Sequence, residues 1–188
     1  RIVLTWNGKL DFDSHLEIPG QDSTNDASDS SDKSHLSYRV NQSSAVTFTG
    51  VSTADYHLYT DIVSSGDYVT LDQDNQAGVV SSSSCSGTSH GECGPETVTI
   101  SMVRSSGSYR FHVHNITDLS ANTTNNISSA LADNGTFVQV FYEDTSYNFD
   151  VPRRNGNLWT VFDFDNVSGF TQINNMTNES TVRSIDNH

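Results

Sequence analysis

Positive charge is scarce in this chain. Lysine occurs only at Lys9 and Lys33, and nine basic residues face 23 acidic ones, for a formal net charge of −14. That balance repels the phosphates of nucleic acids and anionic membrane surfaces, and so argues against both as partners. Long apolar runs are missing as well. No stretch approaches the roughly 18 residues that mark a membrane-crossing helix, so no membrane span is expected. The hydrophobic fraction is only 34% of 188 residues. A chain of this length still buries about 70% of its unfolded surface, so polar loops must surround a single core. Catalytic signatures are also lacking. There is no H-E-x-x-H, no phosphate-cradling loop and no dinucleotide fingerprint. Gly87-Thr88-Ser89-His90-Gly91 has the G-x-S-x-G form, but that motif needs a strand before it and a helix after it to strain the serine. Here it sits in a Ser/Gly-rich stretch with no helical pattern following. The expectation is a protein that is not an enzyme.

What the chain does have begins with Asn. Eight Asn-x-Ser/Thr triplets occur, at Asn41, Asn115, Asn122, Asn126, Asn134, Asn166, Asn175 and Asn178, none with proline in the middle. Composition alone gives roughly four such triplets, so eight is an excess of possible N-glycan sites. Chains that carry many glycans pass through a secretory route, which predicts a secreted, extracellular or cell-surface protein with N-linked glycans. Asp outnumbers Glu by 18 to 5, a bias toward the short carboxylates that suit turns and cation sites. The two cysteines, Cys85 and Cys93, share one Ser/Gly-rich segment. In an extracellular chain they are expected to form a disulfide pinning that loop. A zinc half-site with His90 is the alternative, one ligand short.

The apolar periodicity is two. Val98, Ile100 and Met102 alternate with Thr97, Thr99 and Ser101, while Tyr109, Phe111 and Val113 alternate with Arg110, His112 and His114. In residues 137–142 the same pattern sets Val138, Val140 and Tyr142 against Phe137, Gln139 and Phe141. Similar runs occupy residues 2–6, 35–40, 46–49, 56–63, 68–71 and 159–164. They are rich in Val, Thr, Tyr and Phe and are bounded by Gly, Asn, Asp and Ser. About nine or ten short strands predict an all-β, immunoglobulin-like β-sandwich over residues 1–165, followed by a polar C-terminal tail or linking segment, 166–188. Asn155-Gly156 reads as a hairpin turn. Residues 125–133 are the best place for one or two turns of helix. Residues 21–34 and 76–94 read as long polar loops.

Several side-chain patterns could carry chemistry. On a strand, Asp11, Asp13 and His15 project from one face. Asp is disfavoured there, and like charges on one face repel unless a cation offsets them. Asp72 and Asp74 follow the predicted strand 68–71, and Glu96 opens another. Carboxylates arriving at strand ends from separate parts of the chain suit an oxygen-rich Ca²⁺ site; solvated Asp at turns is the other reading. His112 and His114 would share a strand face, either as a transition-metal pair or as an exposed polar face. Tyr56, Tyr59, Tyr142, Tyr147 and Trp159 would either stack on sugars or fill the core.

The ordered blocks Leu4-Thr5-Trp6, Asp11-Phe12-Asp13-Ser14-His15-Leu16, Leu71-Asp72-Gln73-Asp74, 94–100 and 107–114 resemble the YfaP-like domain, a secreted bacterial β-sandwich family of uncharacterised function. The resemblance spans about residues 4–165. It implies an immunoglobulin-like sandwich in adhesin-like or surface contexts, with Asp11, Asp13, Asp72, Asp74 and Glu96 drawn together. The insertions at 21–34 and 79–93 depart from that pattern.

The function expected is a glycosylated extracellular structural protein. It would be the subunit of a fibre or surface coat, assembled head-to-tail from copies of itself by donation of residues 1–6 or of the segment 166–188. A calcium-dependent adhesin or carbohydrate-binding module is the alternative.

Overall fold

The computed structural model describes residues 1–8, 10–19, 33–37, 57–62, 67–73, 95–115 and 129–179. They form two antiparallel sheets, an all-β sandwich as the alternation predicts, with eleven strands rather than nine or ten. The strands are β1 (Ile2–Thr5), β2 (Phe12–Pro19), β3 (Lys33–Leu36), β4 (His57–Ile62), β5 (Asp67–Gln73), β6 (Glu96–Ile100), β7 (Tyr109–Asn115), β8 (Phe137–Tyr142), β9 (Thr145–Asp150), β10 (Leu158–Asp165) and β11 (Gly169–Thr177). One helical turn, α1 (Ala130–Asp133), precedes β8, inside the one segment whose pattern allows a turn or two of helix. The first sheet runs β4-β5-β6-β1-β8-β9 and the second β11-β10-β7-β2-β3.

The core lies between the sheets and is built by the period-2 side chains. Ile2, Leu4, Val98, Val138 and Val140 come from the first sheet, and Phe12, Leu16, Ile18, Phe111, Val113 and Trp159 from the second; all are buried. Burying each large side chain is worth about 1.5–3 kcal/mol. Aromatic rings dominate one end. Phe162 stacks on Phe111 at 5.6 Å, while Phe170 contacts Tyr147, Phe149, Phe162 and Phe164. A register shift in β10 between Thr160 and Phe162 keeps both Trp159 and Phe162 on the inner face, opposite Val113 and Phe111. Without that extra residue the alternation would turn one of them outward.

Two sequence expectations are corrected here. The polar segment after residue 165 is no detached tail as far as residue 177, because β11 pairs with β10 along its length and Phe170 and Met176 pack on the core. Asn155-Gly156 is not a hairpin turn, since β9 and β10 belong to different sheets and the turn carries the chain across the sandwich. In the single chain β1, within one of the two segments expected to be donated, is bonded to β6 on one side and β8 on the other. Hairpins whose turns lie among the described residues are β8–β9, turning through Glu143 at φ 51°, and β10–β11; β4 and β5 also pair antiparallel. The predicted strand at residues 46–49, the loop 76–94 and residues 21–32 of the loop expected at 21–34 lie outside the described residues, while the last two residues of that loop open β3.

The passage from β1 to β2 sets the register of everything described next. Trp6 is buried, donates from Nε1 to the Leu10 carbonyl at 2.9 Å, and packs 5.4 Å from Phe12. Gly8 turns the chain at φ 105°, where a side chain would run into that of Asn134. The loop delivers Phe12 to the core, so alternation turns Asp13 to the other side of the second sheet.

Candidate functional site

The outer face of the second sheet is where the chemistry gathers. Alternation along β2 sends Asp13, His15 and Glu17 to this face, since Phe12, Leu16 and Ile18 fill the core. Along β7 it sends Arg110, His112 and His114 there. Cross-strand register places Asp13 opposite His114, His15 opposite His112, and Glu17 opposite Arg110. On the other side of β7, Thr160 faces His112 and Asp163 faces Arg110. A single ladder therefore lines up three carboxylates, three imidazoles and a guanidinium.

This polar face is buried. Asp13 is 3% exposed, Glu17 2%, and His15, His112 and His114 are 0%. Burial of ionisable groups is costly unless they are paired or hold a cation. His112 is held from both ring nitrogens, with Nδ1 3.0 Å from Thr160 Oγ1 and Nε2 3.2 Å from Glu17 Oε1. Arg110 and Asp163 close the ladder at a half-exposed end, with Nε and Nη2 donating to the two carboxylate oxygens at 2.7 and 2.8 Å. At the other end the side chains of Asp13, His15 and His114 converge, and one ligand-type atom from each lies within 4.8 Å of the others. The rings of His15 and His114 meet edge to face, 5.8 Å apart at 77°.

The predicted carboxylate cluster does not form among the described residues. Asp13 joins two histidines instead. Glu96 shares the inner face with Val98, and its Oε2 accepts the Ser14 backbone N–H at 2.6 Å, tying β6 to β2 across the sandwich. Asp72 is exposed on the first sheet and accepts the Thr99 hydroxyl. Asp11 precedes β2, partly buried, and Asp74 lies outside the described residues. The physical reason is alternation: Asp13 and Glu96 sit on strands of different sheets, with Asp13 facing away from the interior that receives Glu96. The two readings of His112 and His114 also change. They share a face, as their spacing requires, but it is neither exposed nor a His112–His114 pair: His112 belongs to Glu17 and Thr160, while His114 meets Asp13 and His15.

The other predicted residues divide clearly. Asn166, Asn175 and Asn178 are exposed, all in the β10–β11 hairpin or just beyond it. Asp165 Oδ1 accepts the backbone N–H groups of Val167 and Ser168 at 2.8 and 2.6 Å, which shapes the turn that presents Asn166. Those bonds, Ser168 first, hold the Asp165 carboxyl below its ordinary pKa. Asn134 is half-buried, and its Nδ2 donates to the Ala130 carbonyl at 2.7 Å. Asn115 is 0% exposed; a glycan on its side chain does not fit this packing, because β7 places it opposite Phe12 on the core face. Asn41, Asn122, Asn126, Cys85 and Cys93 lie outside the described residues, as do Ser89 and Tyr56. Trp159 is wholly buried and Tyr142 and Tyr147 pack on Phe170, so these three serve the core rather than a sugar platform.

The geometry thus defines a β-sandwich with a buried polar ladder on one outer face. No family model, no curated protein and no solved structure matches the chain.

Proposed function

We propose that this protein is a glycosylated extracellular structural subunit whose first sheet continues from copy to copy, building a fibre or surface coat. The observation that supports this reading is the order of that sheet. It ends in β4 on one side and β9 on the other, and no further described strand pairs with either. An edge strand presents a row of backbone donors and acceptors that templates another strand. Neither β4 nor β9 contains a sequon, whereas the described exposed sequons all follow β10, on the second sheet's side. β11, which bears Asn175, packs over β9 through Phe170 rather than along its free backbone edge. β9 also lacks the Lys or Pro that commonly blunt such edges, and Thr145, Ser146, Asn148 and Asp150 on it are exposed. Pairing β9 of one copy with β4 of the next joins two different surfaces. Such a contact does not close on itself and propagates as a filament.

Electron microscopy of the purified native protein tests this directly. Filaments are expected from the wild type, and the double substitution Ser146→Lys with Asn148→Lys should return it to monomers. Monodisperse wild-type particles at every concentration, or filaments untouched by the two lysines, would remove the proposal.

A further inference from the structure

The geometry points to a binding site for one divalent transition-metal ion of the Zn²⁺ class, formed by Asp13, His15 and His114. The site is independent of the assembly proposal and lies on the other sheet. Three observations carry it together. First, the donors are two imidazoles and one carboxylate, a set that suits Zn²⁺ and its neighbours rather than Ca²⁺, which takes six to eight oxygens. Second, their ligand atoms already lie within 4.8 Å of one another. A tetrahedral ion with bonds near 2.0–2.2 Å holds donors about 3.4 Å apart, so modest ring and carboxylate rotations complete the shell. Third, the donors are fixed by backbone register rather than by loop geometry. Asp13 and His15 are i, i+2 on β2, and His114 is the direct cross-strand partner of Asp13.

The surroundings fit a metal site. All three residues are buried to 97% or more, so an ion there is shielded and its charge offsets that of a desolvated carboxylate. His112 stands opposite His15 but is committed to Glu17 and Thr160 through its two nitrogens. It packs beside the site as a fixed wall rather than competing as a ligand. Three protein donors leave a fourth position for water or one further group.

The test uses the full chain, stripped of metal by chelator under denaturing conditions and refolded with either Co²⁺ or Zn²⁺. One Co²⁺ per chain is expected, with visible ligand-field absorption that stoichiometric Zn²⁺ abolishes. Asp13→Asn and His114→Gln should each weaken Co²⁺ binding at least 100-fold, and Asp72→Asn should leave it unchanged. Absence of bound Co²⁺ and Zn²⁺ in folded wild type would overturn the site, as would full-strength binding by folded His114→Gln. If the variants do not fold, X-ray absorption of the Zn²⁺-loaded wild type decides. A shell of two imidazoles with oxygen supports the site. A sulfur-containing shell, implicating Cys85 and Cys93, or an all-oxygen shell overturns it.

Discussion

Glu17 shows how much a single residue is asked to do on the polar ladder. Its carboxylate is buried to 98% beside His112 and lies on the rung opposite Arg110. Truncation leaves a buried imidazole nitrogen without its partner, which costs about 1–3 kcal/mol. Glu17→Ala should therefore lose that much in urea unfolding. Glu17→Gln keeps a hydrogen-bonding oxygen and should lose about 1 kcal/mol. Equal losses from the two substitutions would show that shape, not the pair, is what Glu17 supplies. At this scale the sequence was half legible. The alternation of Asp13 with His15, and of His112 with His114, follows from spacing within each segment. That Asp13 meets His114 follows from the register of β2 against β7, two strands separated by some ninety residues of chain, and no local pattern encodes it. The carboxylates were misjudged for the same reason. Glu96 and Asp13 look alike as acidic residues near strand starts, yet the sheets they join turn them to different sides.

Among the elements, those with a strong apolar alternation were the readable ones. β7 and β8 carry Tyr, Phe and Val at every second position, and β10 carries Trp159, Val161, Phe162 and Phe164 with one shift of register; the structure has strands there. β9 and β11 are hard to read because Asn, Thr, Ser and Gln fill most of their positions and only Tyr147, Phe149, Phe170 and Met176 pack on the core. Both are outermost strands, where one side needs no apolar cover. The shift in β10 was equally invisible, since one extra residue is a tertiary adjustment rather than a composition signal. Its result is the ring cluster around Phe162, which is 1% exposed and lies 4.9 Å from Phe149 and 5.2 Å from Phe170. Phe162→Ala should cost about 3–5 kcal/mol as a cavity opens. Phe141→Ala, at a ring 47% exposed, should stay within about 0.5 kcal/mol. Urea midpoints of the two variants give the comparison, and similar losses would contradict this account of the core.

For the whole molecule, the sandwich class was legible because two-residue periodicity and the lack of helical segments leave few alternatives. The chain's boundary was not, because polar β11 resembles a tail. Glycosylation, if the assembly proposal holds, must follow the same map of exposure. Glycopeptide mapping of the native protein should find sugar on Asn166, Asn175 and Asn178 and none on Asn115. Bare asparagine at the three exposed sites would remove the glycosylated part of the proposal.

Asn115 also bears on the order of events during biogenesis. Its side chain is accessible only before β7 joins β2 and the inner face closes over Phe12. In a glycosylating compartment, the modifying enzyme and the folding chain therefore race for the same amide. Under the proposed glycosylation, occupancy at Asn115 becomes a clock: sugar there marks molecules whose sheet closed too late, and bare asparagine marks those that closed in time.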